Sequence, residues 1–179
     1  SSSGTNNFNG NVTISGAAGG ISLAGSSTNT FGAGTNTAWN STGTASISST
    51  GDTTFNGTIS GSGALTKSGE GTLTFNATSG SYSGAVGISP TSGQDRGIIV
   101  ANADNALGTG AVTAIFGTGA TRAQIQLTGG RTLANSFTTS GAGTDGTVDG
   151  IIRAVSGANV LSGQITQTGG GGSSTYRAD

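Results

Sequence analysis

Between Gly61 and Gly84 the chain reads GSGALTKSGEGTLTFNATSGSYSG, and glycine returns at nearly every point where an extended segment would have to bend. Leu65, Leu73 and Phe75 recur at even spacings, with Thr66, Thr72 and Thr74 between them. That is the period-2 signature of strands with one buried face, interrupted by turns. A chain punctuated this often cannot build long helices, so it must fold as many short strands.

The chain has 179 residues, enough for one domain of ordinary size. Glycine supplies 36 of them and only 7% are charged, a composition that in other chains signals disorder. Here the apolar residues are mostly β-branched or aromatic and alternate with polar ones (Val12, Ile14, Ile21, Leu23), while proline occurs once, at Pro90. These features predict an ordered all-β protein that is sparing with its core. The segments around Val12–Ile14, Ile21–Leu23, Leu65, Leu73–Phe75, Ile98–Val100, Ile125–Leu127, Ile151–Val155 and Val160–Ile165 are expected to be strands whose apolar residues point into one column.

Charge excludes several functions. Lys67, Arg96, Arg122, Arg131, Arg153 and Arg177 are scattered singly, so no basic stripe exists to neutralise a phosphate backbone, and no nucleic-acid partner is expected. No apolar run is long enough to cross a membrane as a helix, so no membrane-spanning segment is expected. Ser1 begins in polar sequence, which places any signal peptide outside this chain. The absence of cysteine removes disulfides, thiolate metal sites and cysteine nucleophiles together.

Internal repetition points to the architecture. A pattern of an aromatic residue or Leu, a polar residue, Gly, any residue, then Val or Ile occurs four times. The copies are Phe8-Asn9-Gly10-Asn11-Val12, Phe55-Asn56-Gly57-Thr58-Ile59, Tyr82-Ser83-Gly84-Ala85-Val86 and Leu161-Ser162-Gly163-Gln164-Ile165. Irregular spacing suits a coil whose loops vary while its strands stack. A right-handed parallel β-helix of about 20–25 residues per turn is therefore expected, with inward Val, Ile, Leu and Phe, outward Thr, Ser and Asn, and glycine at the bends. An antiparallel β-sandwich is the alternative, since it also shows many short strands. Its hairpins favour Asn-Gly turns, but Asn9-Gly10 and Asn56-Gly57 fall inside the recurring motif rather than between two alternating runs. The chain is read as one β-solenoid domain over 1–179, or a segment of a longer solenoid. Its repeat-like core spans 59–84, and its Gly/Ser-rich ends, 1–7 and 168–179, are read as flexible.

The stretch Gly63-Ala64-Leu65-Thr66-Lys67-Ser68-Gly69-Glu70-Gly71-Thr72-Leu73-Thr74-Phe75, followed by Tyr82-Ser83-Gly84, resembles the autotransporter-associated β-strand repeat, also called the passenger-associated transport repeat. Downstream, Asn105–Val112 and Gly130–Asn135 are similar to segments that commonly follow that repeat, and together these cover about a third of the chain. Gly80-Ser81 departs from the asparagine the family usually carries before the tyrosine, and Ser89–Gly97 looks like an insertion. The resemblance implies a large secreted or cell-surface β-solenoid of a bacterium, and it implies no catalytic residues.

Smaller motifs are composition. Gly141-Ala142-Gly143-Thr144-Asp145-Gly146 matches a phosphate-binding pattern, but no helical pattern follows it. The same stretch offers Asp145 and Asp149 as oxygen donors for calcium, although such sites need successive rungs to share one ion and only one imperfect copy is present. No metal, organic cofactor or catalytic residue is expected. With no histidine the commonest general base is missing, and Asp95, Arg96 and Asp104 form the nearest thing to a catalytic group. Sequons at Asn11, Asn40, Asn56 and Asn76 arise by composition. Trp39 is expected to cover one end of the core, as solenoids require capping.

Three functional classes follow. The leading one is a structural extracellular or cell-surface protein, a passenger-like stalk or fibre subunit. The second is an adhesin binding surface or host glycans, and the third a polysaccharide-degrading enzyme on the same fold. The sequence offers no charged or helical cap at Ser1–Asn7 or Thr175–Asp179, so the open ends are expected to be occupied by a longer chain or by another copy stacked end to end.

Overall fold

The computed structural model describes residues 4–15, 22–32, 36–39, 43–89, 96–115, 122–140, 150–168 and 176–179. Every element among them is a strand, and every pairing between strands is parallel. The antiparallel alternative is thereby excluded.

Three faces wind around a common lumen. The first is an eight-stranded sheet of β1 (Thr5–Phe8), β4 (Thr28–Phe31), β7 (Thr53–Phe55), β10 (Thr72–Phe75), β12 (Arg96–Ala101), β14 (Arg122–Leu127), β17 (Ile152–Ala154) and β20 (Tyr176–Ala178). A seven-stranded sheet opposes it: β3 (Ser22–Leu23), β6 (Ala45–Ile47), β9 (Leu65–Lys67), β11 (Val86–Ile88), β13 (Val112–Ile115), β16 (Phe137–Ser140) and β19 (Ile165–Thr168). The third face is broken into β2 (Val12–Ile14), β5 (Thr37–Trp39) and β8 (Ile59–Gly61) at one end, and β15 (Thr132–Leu133) with β18 (Val160–Leu161) at the other. Consecutive strands belong to different sheets, and neighbours within a sheet lie one turn apart. The chain is a right-handed parallel β-helix. Each turn consumes 20 residues where Thr53 faces Leu73 and 27 where Ile125 faces Ile152.

Alternation sets which side chains enter the lumen. In the first sheet Phe8, Phe31, Phe55, Phe75, Ala101, Leu127, Ala154 and Ala178 form one inner column. The four phenylalanine rings stack at centroid separations of 4.7, 4.4 and 5.6 Å. Beside them runs a second inner column of Asn6, Asn29, Thr53, Leu73, Ile99, Ile125, Ile152 and Tyr176. The apolar residues therefore fill several columns, not one. Ile98 and Val100 also differ from expectation: they are half-buried and face outward, while Ile99 and Ala101 point in. Three consecutive apolar residues carry no phase of their own, so the pairing with Leu73 and Phe75 sets it.

Trp39 is not an end cap. It lies on the middle strand of the three-stranded portion, between Ile14 and Gly61, with only 3% of its surface exposed. Nor are both ends loose coil, because Thr5–Phe8 and Tyr176–Ala178 each add a parallel strand to the first sheet. Residues 1–3 and 169–175 lie outside the described residues.

Where the third face has no strand, the turn Ala103–Gly108 fills the gap. Asn105 adopts φ 47°, and its peptide bonds upward and downward: Ser79 N–H donates to the Asn105 carbonyl at 3.1 Å, and Asn105 N–H donates to the Thr132 carbonyl at 2.9 Å. Ala106 and Leu107 plug the lumen beneath. Asn135 ties the adjacent rung to this turn by donating from Nδ2 to the carbonyls of Gly108 and Gly110.

The recurring five-residue motif is a corner. Phe8–Val12 and Phe55–Ile59 carry the chain from the first face to the third, whereas Tyr82–Val86 and Leu161–Ile165 carry it from the third face to the second. One sequence pattern serves two geometrically different bends. At the second kind glycine is obligatory: a Cβ on Gly84 would lie 2.1 Å from the Gly63 carbonyl oxygen, and one on Gly163 would lie 1.9 Å from that of Asn135. Gly10, at the first kind, has open space around it.

Candidate functional site

Most of the residues that sequence reasoning weighed for chemistry cannot be placed together or apart, because they fall outside the described residues. Asp145 and Asp149 lie outside the described residues, as do Asp95 and the side chain of Arg96, so the proposed calcium and catalytic groupings fall there too. Among the described residues no three His, Cys, Asp or Glu side chains stand close enough to share a metal ion. Two acids instead complete the backbone of the coil. Asp52 Oδ1 accepts from the Thr72 N–H at 2.8 Å, and Asp104 Oδ1 accepts from the Thr132 N–H at 2.9 Å. Each satisfies a donor at the start of a strand on the next turn. Asn11 accepts from the Asn36 N–H on the next turn and Asn159 from the Arg131 N–H on the preceding one, each just ahead of a strand, at 3.0 and 2.8 Å.

Two of the sequons also belong to a ladder. Asn76 donates to Asn56, Asn102 donates to Asn76, and the Thr128 hydroxyl donates to Asn102, at 2.7, 3.1 and 2.7 Å. This line follows one corner from turn to turn. Its members hold each other in place.

Lys67 is fully buried, which the sequence reading missed. It occupies an inner column of the second sheet between Ile47 and Ile88. Its ammonium donates to the Gly69 carbonyl and stands 3.5 Å from that of Ser49. The signal was available: Leu65 and Lys67 share a phase in Leu65-Thr66-Lys67, so whichever way Leu65 points, Lys67 follows. Tyr82 is buried as well and donates from its hydroxyl to the Gly63 carbonyl at 2.7 Å. Burial pushes that phenol well above the ordinary tyrosine range.

The feature with the character of a binding site is the end of the lumen beneath β20. A cavity of about 280 Å³ opens there, lined mainly by Leu127, Ile152, Ala154, Leu161, Ile165 and Tyr176, with Ala178 at its rim. On the outer side of the same rungs Arg153 lies 2.5 Å from Asp179, and Arg177 pairs with the same carboxylate. Hydrogen bonding from Arg153 holds Asp179 below the usual carboxylate range, and Arg177 adds to the effect. Four of the five large apolar side chains that are at least one-third exposed among the described residues sit on terminal rungs. Phe8 is at one end, and Val160, Ile165 and Tyr176 are at the other; Ile115 is the exception. Phe8, Ile165 and Tyr176 stand on inner columns left uncovered at the terminal rungs, whereas Val160, paired with the outward Thr132, faces the flank as Ile98, Val100 and Ile115 do.

No family model, curated protein or solved structure matches the chain. Function must therefore be argued from this geometry. What the fold establishes is a structural repeat protein built as a β-solenoid.

Proposed function

We propose that this chain is a non-catalytic section of an extracellular bacterial rod, a surface stalk or fibre of the kind that autotransporter-associated repeats build. The observation that carries the reading is the distribution of apolar surface. A coil with polar, almost uncharged flanks and apolar ends is suited to extension along its axis and little else. The Asp52 and Asp104 carboxylates support a mechanical role, since each has an oxygen committed to holding one turn to the next. Glycines packed against carbonyls of the preceding turn support it too, because they keep the coil narrow and its main-chain bonds short.

Immunogold electron microscopy of intact source cells, with antibody raised against the 179-residue chain, tests the reading. Label on surface rods or filaments is the expected result. Label confined to the cell interior overturns it.

A further inference from the structure

We infer that Asn56-Gly57 is a site of self-modification, where the Gly57 amide nitrogen closes on the Asn56 side chain to a succinimide and water opens the ring to aspartate or isoaspartate. The dipeptide occupies the corner between β7 and β8, with turns of the coil above and below it.

This corner is a rung of the asparagine ladder, and it is the rung at which the ladder stops. Phe31, Phe55, Phe75 and Ala101 stack in register, so Gly32, Asn56, Asn76 and Asn102, which follow them, stack as well. The main-chain N–H of Asn56, Asn76 and Asn102 each donates to the phenylalanine carbonyl one turn earlier at 2.9 Å. Asn76 and Asn102 are also tied at both ends of their side chains. Asn76 donates to Asn56 and accepts from Asn102, while Asn102 donates to Asn76 and accepts from Thr128. Asn56 is tied at one end only. Its Oδ1 accepts from Asn76 Nδ2 at 2.7 Å, but the next rung is Gly32, which has no side chain to receive its Nδ2. Among the described residues neither Asn56 Nδ2 nor the Gly57 N–H donates a hydrogen bond, and both residues are only half-buried.

Those three atoms are the ones the reaction uses. The Gly57 nitrogen bonds to Asn56 Cγ, and negative charge gathers on Oδ1, where the Asn76 donor already stands. A donor fixed at that place stabilises a developing oxyanion. The Cγ–Nδ2 bond then breaks, and Nδ2 leaves as ammonia with the proton from the Gly57 nitrogen. Water adds to one carbonyl of the imide: cleavage at Cγ gives aspartate, and cleavage at the former main-chain carbonyl gives isoaspartate. Glycine at 57 leaves the approach uncrowded, since it has no side chain. Alanine follows Asn76 and Asn102, and their Nδ2 groups are already engaged. The aspartate product keeps an oxygen for the Asn76 donor and adds one negative charge to a chain of net charge -1. The isoaspartate product inserts a methylene into the main chain between the buried Phe55 and Ile59.

Peptide mapping by mass spectrometry tests the site, on folded chain aged in mildly alkaline buffer and on the same chain unfolded in urea. Gly57→Ala, Gly32→Asn and Asn76→Ala are aged beside wild type, with far-UV circular dichroism to establish that each is folded. A Cβ on Gly32 would have as its nearest neighbour the Asn9 side-chain oxygen, at 3.1 Å, which can move aside. In folded wild type Asn56 converts to the acid while Asn76 and Asn102 remain amides, and enzymatic methylation of isoaspartate labels the same peptide. Conversion falls severalfold in each variant: Gly57→Ala crowds the nucleophile, Gly32→Asn engages the leaving amide, and Asn76→Ala removes the oxyanion donor. An Asn56 that stays an amide in the folded chain while the unfolded chain converts overturns the inference. So does conversion spread equally over Asn56, Asn76 and Asn102. A wild-type rate in either Gly32→Asn or Asn76→Ala overturns it too, because the ladder would then have no part in the reaction.

Discussion

The inner columns of the first sheet are built from different materials in the two halves of the coil. Near β1 the large side chain is Phe31 or Phe55, and the neighbour two residues earlier is small and polar, Asn29 or Thr53. On β12 and β17 the arrangement inverts, with small Ala101 and Ala154 beside Ile99 and Ile152, while β14 between them carries bulk in both columns as Ile125 and Leu127. Bulk moves from one column to the other while the lumen stays filled, as close packing demands. The polar neighbours of the aromatic half are only partly satisfied. Asn6 donates to Asn29 at 2.9 Å, but the buried Thr53 hydroxyl has no hydrogen-bond partner among the described groups. The aliphatic half has no such deficit in these columns. Its weakness is the open cavity at its end, where Ala154 and Ala178 leave the column short of atoms. One half spends stability on polar groups, the other on space.

Exchanging the materials gives the largest effects. Phe55→Ala should cost about 3–5 kcal/mol, since it removes the centre of a three-contact ring stack in a filled lumen. Ala101→Phe, which carries the aromatic column one rung further against Ile99, should cost about 1–3 kcal/mol by overpacking. Urea midpoints at constant slope measure both, and equal tolerance of the two changes would show that the halves are interchangeable.

The corners separate next. Gly84→Ala drives a Cβ into the Gly63 carbonyl and should cost about 3 kcal/mol. Gly10→Ala, in the same motif at the other kind of bend, should stay within about 0.5 kcal/mol of wild type. Gly10 lies on the first described turn, where no carbonyl of a preceding turn stands against it, so similar losses from both would mean that the motif's own backbone, and not stacking between turns, requires glycine.

Two buried threonines sharpen the contrast further. Thr53→Val removes an unpartnered hydroxyl at nearly constant shape and should raise stability by about 1 kcal/mol. Thr139→Val breaks the 3.1 Å bond to the Tyr176 hydroxyl and should lower it by about 1 kcal/mol. Opposite signs are the expected outcome in thermal melts of the pair.

The smallest effects are pH-dependent, with opposite senses at two places. Tyr82 has a folded-state pKa raised above its unfolded value of 10.0, so its contribution is intact below that pH and is lost as pH climbs beyond it. Tyr82→Phe should flatten that alkaline decline. Asp179 has a folded-state pKa below its ordinary value of 3.8, so its contribution is present above that pH and disappears as pH falls through the folded value. Asp179→Asn should remove a slight acid sensitivity confined to the β20 rung, seen by amide exchange in that strand.

The sequence by itself determined short strands of period two with no long helical pattern, and it favoured the parallel coil over an antiparallel sandwich that only the observed strand pairing excluded. The strands and bends follow from local rules, since alternation fixes two faces and glycine fixes bends, whereas the parallel pairing joins strands 20–28 residues apart. Leu65 and Lys67 shared a phase in the sequence, but only packing against Ile47 and Ile88 on adjacent turns put a lysine in the core. Ile98, Ile99 and Val100 had no phase at all until β10 supplied one. Asp104 was weighed for catalysis and Asn11 as a sequon, and neither they nor Asp52 and Asn159 signalled a role in holding turns together, because the amide each one serves lies 20–28 residues away. The end cavity was equally invisible, since it is lined by side chains from five different strands. Stacking between turns decides these features, and a stacking partner one turn away leaves no mark on its neighbours in the chain.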